Sequence, residues 1–138
     1  MELAREDFER LSQAMRTLPP HPEVDGALRS LHDTGFTLVA QTNSPLDVAR
    51  AQVANAGLDA HLDAVMSADE VQALKPRREA YALVGDRFGV PLAQVRLVAA
   101  HAWDVSGALA AGAPPPSSPG RARCRARSVR SQTSSGQT

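Results

Sequence analysis

Apolar residues recur near helical spacing between positions 5 and 18, where Phe8, Leu11, Met15 and Leu18 are interleaved with Arg5, Glu6, Glu9 and Arg10, a pattern that predicts an amphipathic helix. Pro19-Pro20-His21-Pro22 stops it as a stiff joint. A second helix is predicted over 23–33 with Val24, Leu28 and Leu31 as its stripe, and Gly35 ends it. The run Phe36-Thr37-Leu38-Val39-Ala40 is short, apolar and rich in β-branched residues, which predicts a buried strand of a parallel sheet. Its exit, Gln41-Thr42-Asn43-Ser44-Pro45, leads into a helix over 45–56 that buries Val48, Ala49, Val53 and Ala56, with Gly57 closing it. Ser44 is the expected N-cap of that helix, Pro45 its first residue, and Asp47 completes a spacing like that of a capping box. A second strand is predicted over 62–67 around Val65 and Met66, and a loop through Asp69, Glu70 and Leu74 then reaches Lys75-Pro76. The next helix runs from Pro76 to Phe88, with Ala80, Leu83, Val84 and Phe88 inward and Gly89 as its stop. A third strand is predicted over 95–100, an exit loop over His101-Ala102-Trp103-Asp104, and a last helix over 104–111 ending at Gly112.

Helices alternating with short apolar strands predict an α/β fold with a parallel, doubly wound sheet. Its three strand exits then share one edge and bring there Thr42 and Asn43, the loop toward Lys75, and His101 with Asp104. Ligands of open α/β sheets bind at that edge, and anions favour helix N-termini. Each of these residues also has a structural explanation. Thr42, Asn43 and Ser44 could cap a helix, Lys75 could be a surface lysine, and Asp104 could be an N-cap. Tyr81 could be a core ring with its hydroxyl at the rim, Trp103 a packing residue, and His101 a surface or satisfied imidazole.

The formal charge of zero hides an asymmetry. Residues 1–112 hold ten Lys/Arg against fifteen Asp/Glu, whereas residues 113–138 hold five Arg and no acid. Beyond Gly112 the chain is Pro/Ser-rich, then Arg alternates with small residues, so a disordered tail is expected over 113–138. A basic tail can bind nucleic acid, but this one has no aromatic residue and no recognisable module, so no specific nucleic-acid binding is expected. The one cysteine, Cys124, supports neither a disulfide framework nor a cysteine metal site within one chain. No apolar run approaches the ~20 residues of a membrane span, and the acidic N-terminus lacks a signal-peptide core, so a cytoplasmic protein is the default expectation.

Taken together, Leu38-Val39-Ala40-Gln41-Thr42-Asn43, Lys75-Pro76 with Tyr81 six residues after the lysine, and Ala100-His101-Ala102-Trp103-Asp104 followed by Gly107-Ala108 resemble the haloacid dehalogenase superfamily, and within it the type II 2-haloacid dehalogenases. The resemblance covers about residues 5–112. It implies an incomplete Rossmann-like parallel sheet with flanking helices, with 1–20 a remnant of a helical cap and 21–112 a partial core. It implies hydrolytic removal of halide from a 2-haloalkanoic acid through an aspartyl ester, without metal or other cofactor, and it admits a homodimer. By the same resemblance Thr42 would hydrogen-bond the nucleophile or the substrate carboxylate, and Asn43 would donate to halide or carboxylate. Lys75 would keep the nucleophile ionised, since a nearby cation favours the charged form. Asp104 would orient Lys75 and the hydrolytic water. Tyr81, His101 and Trp103 would line the substrate site.

The resemblance also implies an aspartate on an upstream strand, in an Asp-x-x-Gly-Thr-like turn, and no stretch of this sequence fits it. Asp7 lies in a charged helical pattern, and Asp25-Gly26 lies inside a predicted helix without a following Thr. The family's sheet would place that strand between those at Phe36 and Val95. The expectation is a truncated chain, inactive alone, with a frameshift near codon 113, because another frame across 116–121 can encode the apolar strand Ala-Phe-Val-Ala-Arg-Pro. Two alternatives stand beside it: another hydrolase of the superfamily, such as a phosphatase, and a non-catalytic fragment or pseudoenzyme.

Overall fold

A parallel pair of four-residue strands positions everything else. In the computed structural model, which describes residues 4–115, β1 (Val39–Thr42) pairs with β2 (Ala64–Ser67) in the register Val39↔Ala64 to Thr42↔Ser67. Parallel partners need a crossover, and helix α3 (Leu46–Asn55) provides it, packing on β2. Helix α1 (Arg5–Arg16) packs on α3, and α2 (Val24–Asp33) packs on the 3-10 turn Asp59–His61. Helix α4 (Arg78–Phe88) packs on α5 (Ala102–Ala111). This is the expected α/β arrangement of a parallel sheet with flanking helices.

The helices end where glycine lets them. Gly89 and Gly112 cap α4 and α5 in the left-handed region, at φ 64° and 107°. Helix α3 begins differently from expectation. Its N-cap is Pro45, no side chain caps it, and the Thr42 hydroxyl accepts instead from the Ser44 amide at 3.1 Å. The capping box lies elsewhere, at Ser67 and Glu70. Ser67 Oγ accepts from the Asp69 amide and Glu70 Oε1 accepts from the Ser67 amide, which organises the 3-10 turn Ala68–Val71. Ser67 Oγ also donates to the Ser44 carbonyl at 2.8 Å, tying the end of β2 to the loop after β1.

The main departure is the third strand. Residues 95–100 form no ladder, and the described sheet has two strands. Exposure nevertheless alternates strictly along them, with Val95, Leu97 and Ala99 half-buried and Arg96, Val98 and Ala100 exposed. That period of two belongs to an extended chain. Leu97 packs against the buried cluster of Tyr81, Ala108, Ala111 and Ala113, while Val98 is 90% exposed. The segment is strand-like in shape and lacks only an adjacent strand, without which no ladder forms. For the same reason β1, expected to be buried, is half-buried along its whole length.

Other expected core positions also face solvent. Phe8, Leu11, Met15 and Leu18 are exposed, Phe8 by 63%, because among the described residues α1 packs mainly on α3. Leu31 and Phe88 are exposed as well, whereas Ala49, Met66 and Ala80 are buried. The packed chain continues one residue past Gly112, since Ala113 is buried and its amide bonds the Ala108 carbonyl. The basic run and the codon-113 frameshift expected for the tail concern sequence that, from position 116 on, lies outside the described residues.

Polar bonds at its C-terminal end hold α1. Arg16 donates to Asp47 Oδ2 at 2.8 Å, Gln52 Nε2 to the Met15 carbonyl at 2.8 Å, and Asn55 Nδ2 to the Arg16 carbonyl at 2.9 Å. The hydrogen bond from Arg16 holds the Asp47 carboxyl below its ordinary value of 3.8, against the opposing effect of desolvation. A carboxyl lowered in the folded state contributes stability that is present above its unfolded value and lost as pH falls through the folded one. Acidification below pH ~4 is therefore expected to loosen α1 from α3 before the sheet opens. Amide exchange in α1 measured from pH 6 to 3 checks this, and equal acceleration in Asp47→Asn and the parent chain would contradict it.

Candidate active site

Three of the sequence-singled residues converge in one buried network. Lys75 and Asp104 are each 9% exposed, and Tyr81 is buried beside them. Lys75 Nζ donates to Asp104 Oδ2 at 3.3 Å, and the Tyr81 hydroxyl lies 2.9 Å from Asp104 Oδ1 and 3.1 Å from its carbonyl. Lys75 Nζ also lies 5.7 Å from the centroid of the Tyr81 ring, within cation–π range. Burial, reinforced by the hydrogen bond to Asp104 and its negative charge, pushes the Tyr81 phenol well above its ordinary value of 10.0. The phenol is therefore a fixed donor at neutral pH.

Each residue comes from a different element. Asp104 is the third residue of α5, behind the N-cap His101, so its side chain turns into the network instead of capping the helix. Tyr81 stands in the first turns of α4, and α4 packs on α5. Lys75 precedes α4, and its backbone is clamped by Asn43. The Lys75 amide donates to Asn43 Oδ1 at 2.8 Å, and Asn43 Nδ2 donates to the Lys75 carbonyl at 3.2 Å. Asn43 thus places the lysine, and one of its two amide N–H groups remains for other work.

Gln41 is a part of the site that the sequence reading missed. Its carbonyl accepts from Lys75 Nζ at 3.1 Å, and its side chain donates to the Ala80 carbonyl at 2.7 Å. A polar residue directly after the apolar run, two positions past Val39 and so on the same strand face, was the available signal. Two of the three Lys75 ammonium protons are spent on Gln41 and Asp104 among the described contacts, which leaves one donor.

His101 and Trp103 are not drawn into this network. Both are exposed, Trp103 by 50%, and their rings lie 6.1 Å apart at an interplanar angle of 34°. The Thr42 hydroxyl accepts from the Ser44 amide and keeps its own O–H to donate. Among the described residues no group of three or more His, Cys, Asp or Glu is placed to hold a metal ion, and no helix is long and apolar enough to cross a membrane. Every buried side-chain nitrogen and oxygen described has a hydrogen-bond partner, so the network is internally satisfied.

Comparison with known proteins places this geometry among relatives. Residues 2–112 match the family model of haloacid dehalogenase-like hydrolases. The chain is 36% identical over 103 residues to haloacetate dehalogenase H-2 of Moraxella sp. (strain B), covering 75% of this chain and 46% of that protein. It is 37% identical over 98 residues to (S)-2-haloacid dehalogenase of Xanthobacter autotrophicus, covering 71% of this chain and 38% of that one. The solved structure of L-2-haloacid dehalogenase from Xanthobacter autotrophicus with chloropropionic acid covalently bound superposes with a TM-score of 0.76 at 34% identity, over 82% of this chain and 45% of that structure. The chain thus spans about half the length, or less, of the relatives it matches.

Proposed function

The chain belongs to the haloacid dehalogenase-like hydrolases, and from that premise we propose that the Lys75–Asp104–Tyr81 network serves the removal of halide from a 2-haloalkanoic acid, with the attacking carboxylate supplied from outside the described residues. The observation that carries this reading is the state of Asp104. One of its carboxylate oxygens is bonded to Lys75 and the other to Tyr81, so it is held to orient rather than to attack. Lys75 still has a donor to give a second carboxylate.

In the proposed reaction, an aspartate oxygen bonds to the substrate α-carbon as the carbon–halogen bond breaks and halide leaves with its electron pair. Water then adds to the ester carbonyl, releasing the 2-hydroxy acid and restoring the carboxylate. Lys75 stabilises the aspartate as an anion before attack, because a cation within a few ångströms favours the charged form. Asp104 holds the ammonium, accepts a proton from the attacking water and returns it to the alkoxide oxygen as that oxygen leaves the ester carbon, with the proton of the restored carboxyl going to solvent, and Tyr81 keeps the Asp104 carboxylate in place. Thr42 and the free N–H of Asn43 hold the substrate carboxylate or the departing halide, while His101 and Trp103 border the entrance. The covalent adduct in the Xanthobacter autotrophicus structure supports an ester intermediate by analogy.

The open edge of β1 and the unpaired residues 95–100 support delivery of that aspartate on an extended strand between them. Purified alone, the chain is expected to release no halide from 2-chloropropionate. Halide release is expected when it is co-expressed with the part of the Xanthobacter autotrophicus enzyme outside the matched stretch, and is lost with Lys75→Met. Turnover by the chain alone would overturn the need for an outside carboxylate. A soluble complex of the two parts that releases no halide would overturn the dehalogenase reading.

A further inference from the structure

Helix α5 uses alanine at four of its ten positions, Ala102, Ala108, Ala110 and Ala111, yet Gly107 sits in its interior. Glycine there is less favourable than alanine, so a helix that uses alanine freely needs a local reason for this exception. The surroundings give one. A Cβ built on Gly107 would meet the Tyr81 hydroxyl most closely, then Pro76 Cβ at 2.8 Å and Tyr81 Cζ at 3.0 Å. Contacts under 3.0 Å are ones that real Cβ atoms essentially never make. Gly107 also stands three residues after Asp104, on the same face of the helix.

We infer that Gly107 is a positioning residue: its bare Cα is the surface on which both partners of Asp104 close, the Tyr81 ring directly and Lys75 through the adjoining Pro76. The two contacts come from separate places in the chain, the start of α4 and the loop before it, and they meet the same methyl-sized gap. A methyl group there would push the Tyr81 hydroxyl from Asp104 Oδ1 and shift Lys75-Pro76 together. One atom in the wrong place would disturb both donors to the carboxylate. The inference rests on the proposed reading only for its catalytic consequence, because the geometry can be tested with no substrate and no halide assay.

Tyr81 is the chain's one tyrosine, so phenolate absorbance near 295 nm reports this site alone. In the parent chain, phenolate should appear well above the pH at which a free tyrosine ionises. In Gly107→Ala it should appear at lower pH, with far-UV circular dichroism recorded at each step to establish that the chain is folded. A folded Gly107→Ala chain with an unchanged phenolate onset would overturn the inference. The second measurement covers a variant too unstable to titrate: Gly107→Ala is introduced into Tyr81→Phe, which removes the atom the methyl meets first. The fall in melting temperature caused by the methyl should be smaller in that background than in the parent. An equal fall in both backgrounds would show that the hydroxyl is not what the glycine accommodates.

Discussion

Lys75→Met will lower the free energy of unfolding by about 3–5 kcal/mol, the cost of removing one partner from a buried ion pair. Methionine fills much of the space of the lysine stem, so little of the effect is lost packing. What remains is the Asp104 carboxylate, buried, with Tyr81 as its remaining side-chain donor among the described residues. The Gln41 carbonyl loses its donor as well. Urea unfolding followed by circular dichroism measures the loss. Lys75→Met combined with Asp104→Asn should recover part of it at neutral pH. A loss below about 1 kcal/mol, the range of a surface pair, would show that the ammonium reaches water and that the network is not buried in solution.

Asn43→Ala is expected to cost about 1–3 kcal/mol, the penalty for leaving partly buried backbone groups without partners. Its amide makes both contacts to the Lys75 backbone, one as acceptor and one as donor. Without it the lysine is attached through its side chain to Gln41 and Asp104, but its main chain is released. The effect should therefore appear in the exchange rate of the Lys75 amide as well as in stability. Exchange of that amide at the parent rate would mean that the loop before α4 holds the lysine without Asn43. Because the residue fixes the lysine backbone, its removal is expected to lower halide release from an assembled enzyme through placement of the charge as well as through substrate binding.

The helices and the residues of the network were legible in the sequence for different reasons. Helices announce themselves by local chemistry. Apolar spacing marked α1 to α4, and Gly35, Gly57, Gly89 and Gly112 each follow a helix end closely. The strand order brought Lys75 and Asp104 to one sheet edge, resemblance added Tyr81, and the fold brings the three within hydrogen-bond distance. What the sequence could not convey depends on partners far along the chain. The stripe of α1 has the pattern of a buried face and is exposed, because periodicity states which side of a helix is apolar and not whether anything lies against it. Residues 95–100 have strand composition and strand-like alternation without a ladder, because hydrogen bonds belong to pairs of strands. β1 extends through Gln41 and Thr42, which looked like a turn, because β2 offers Met66 and Ser67 as register partners. Ser67 was passed over for a similar reason: its hydroxyl gains its role from Ser44, twenty-three residues away.

The polar bonds that hold α1 all lie at one end. Arg16, the Met15 carbonyl and the Arg16 carbonyl are gripped by Asp47, Gln52 and Asn55, while Phe8 and Leu11 stand one to two turns further out in solvent. The helix is a cantilever, clamped at its C-terminal root, with the outer part of its apolar side open to solvent. Load placed on its apolar side is carried to α3 through three side chains and need not break any of them, so the outer turns can be covered or bared without disturbing the lysine and carboxylate beyond the sheet.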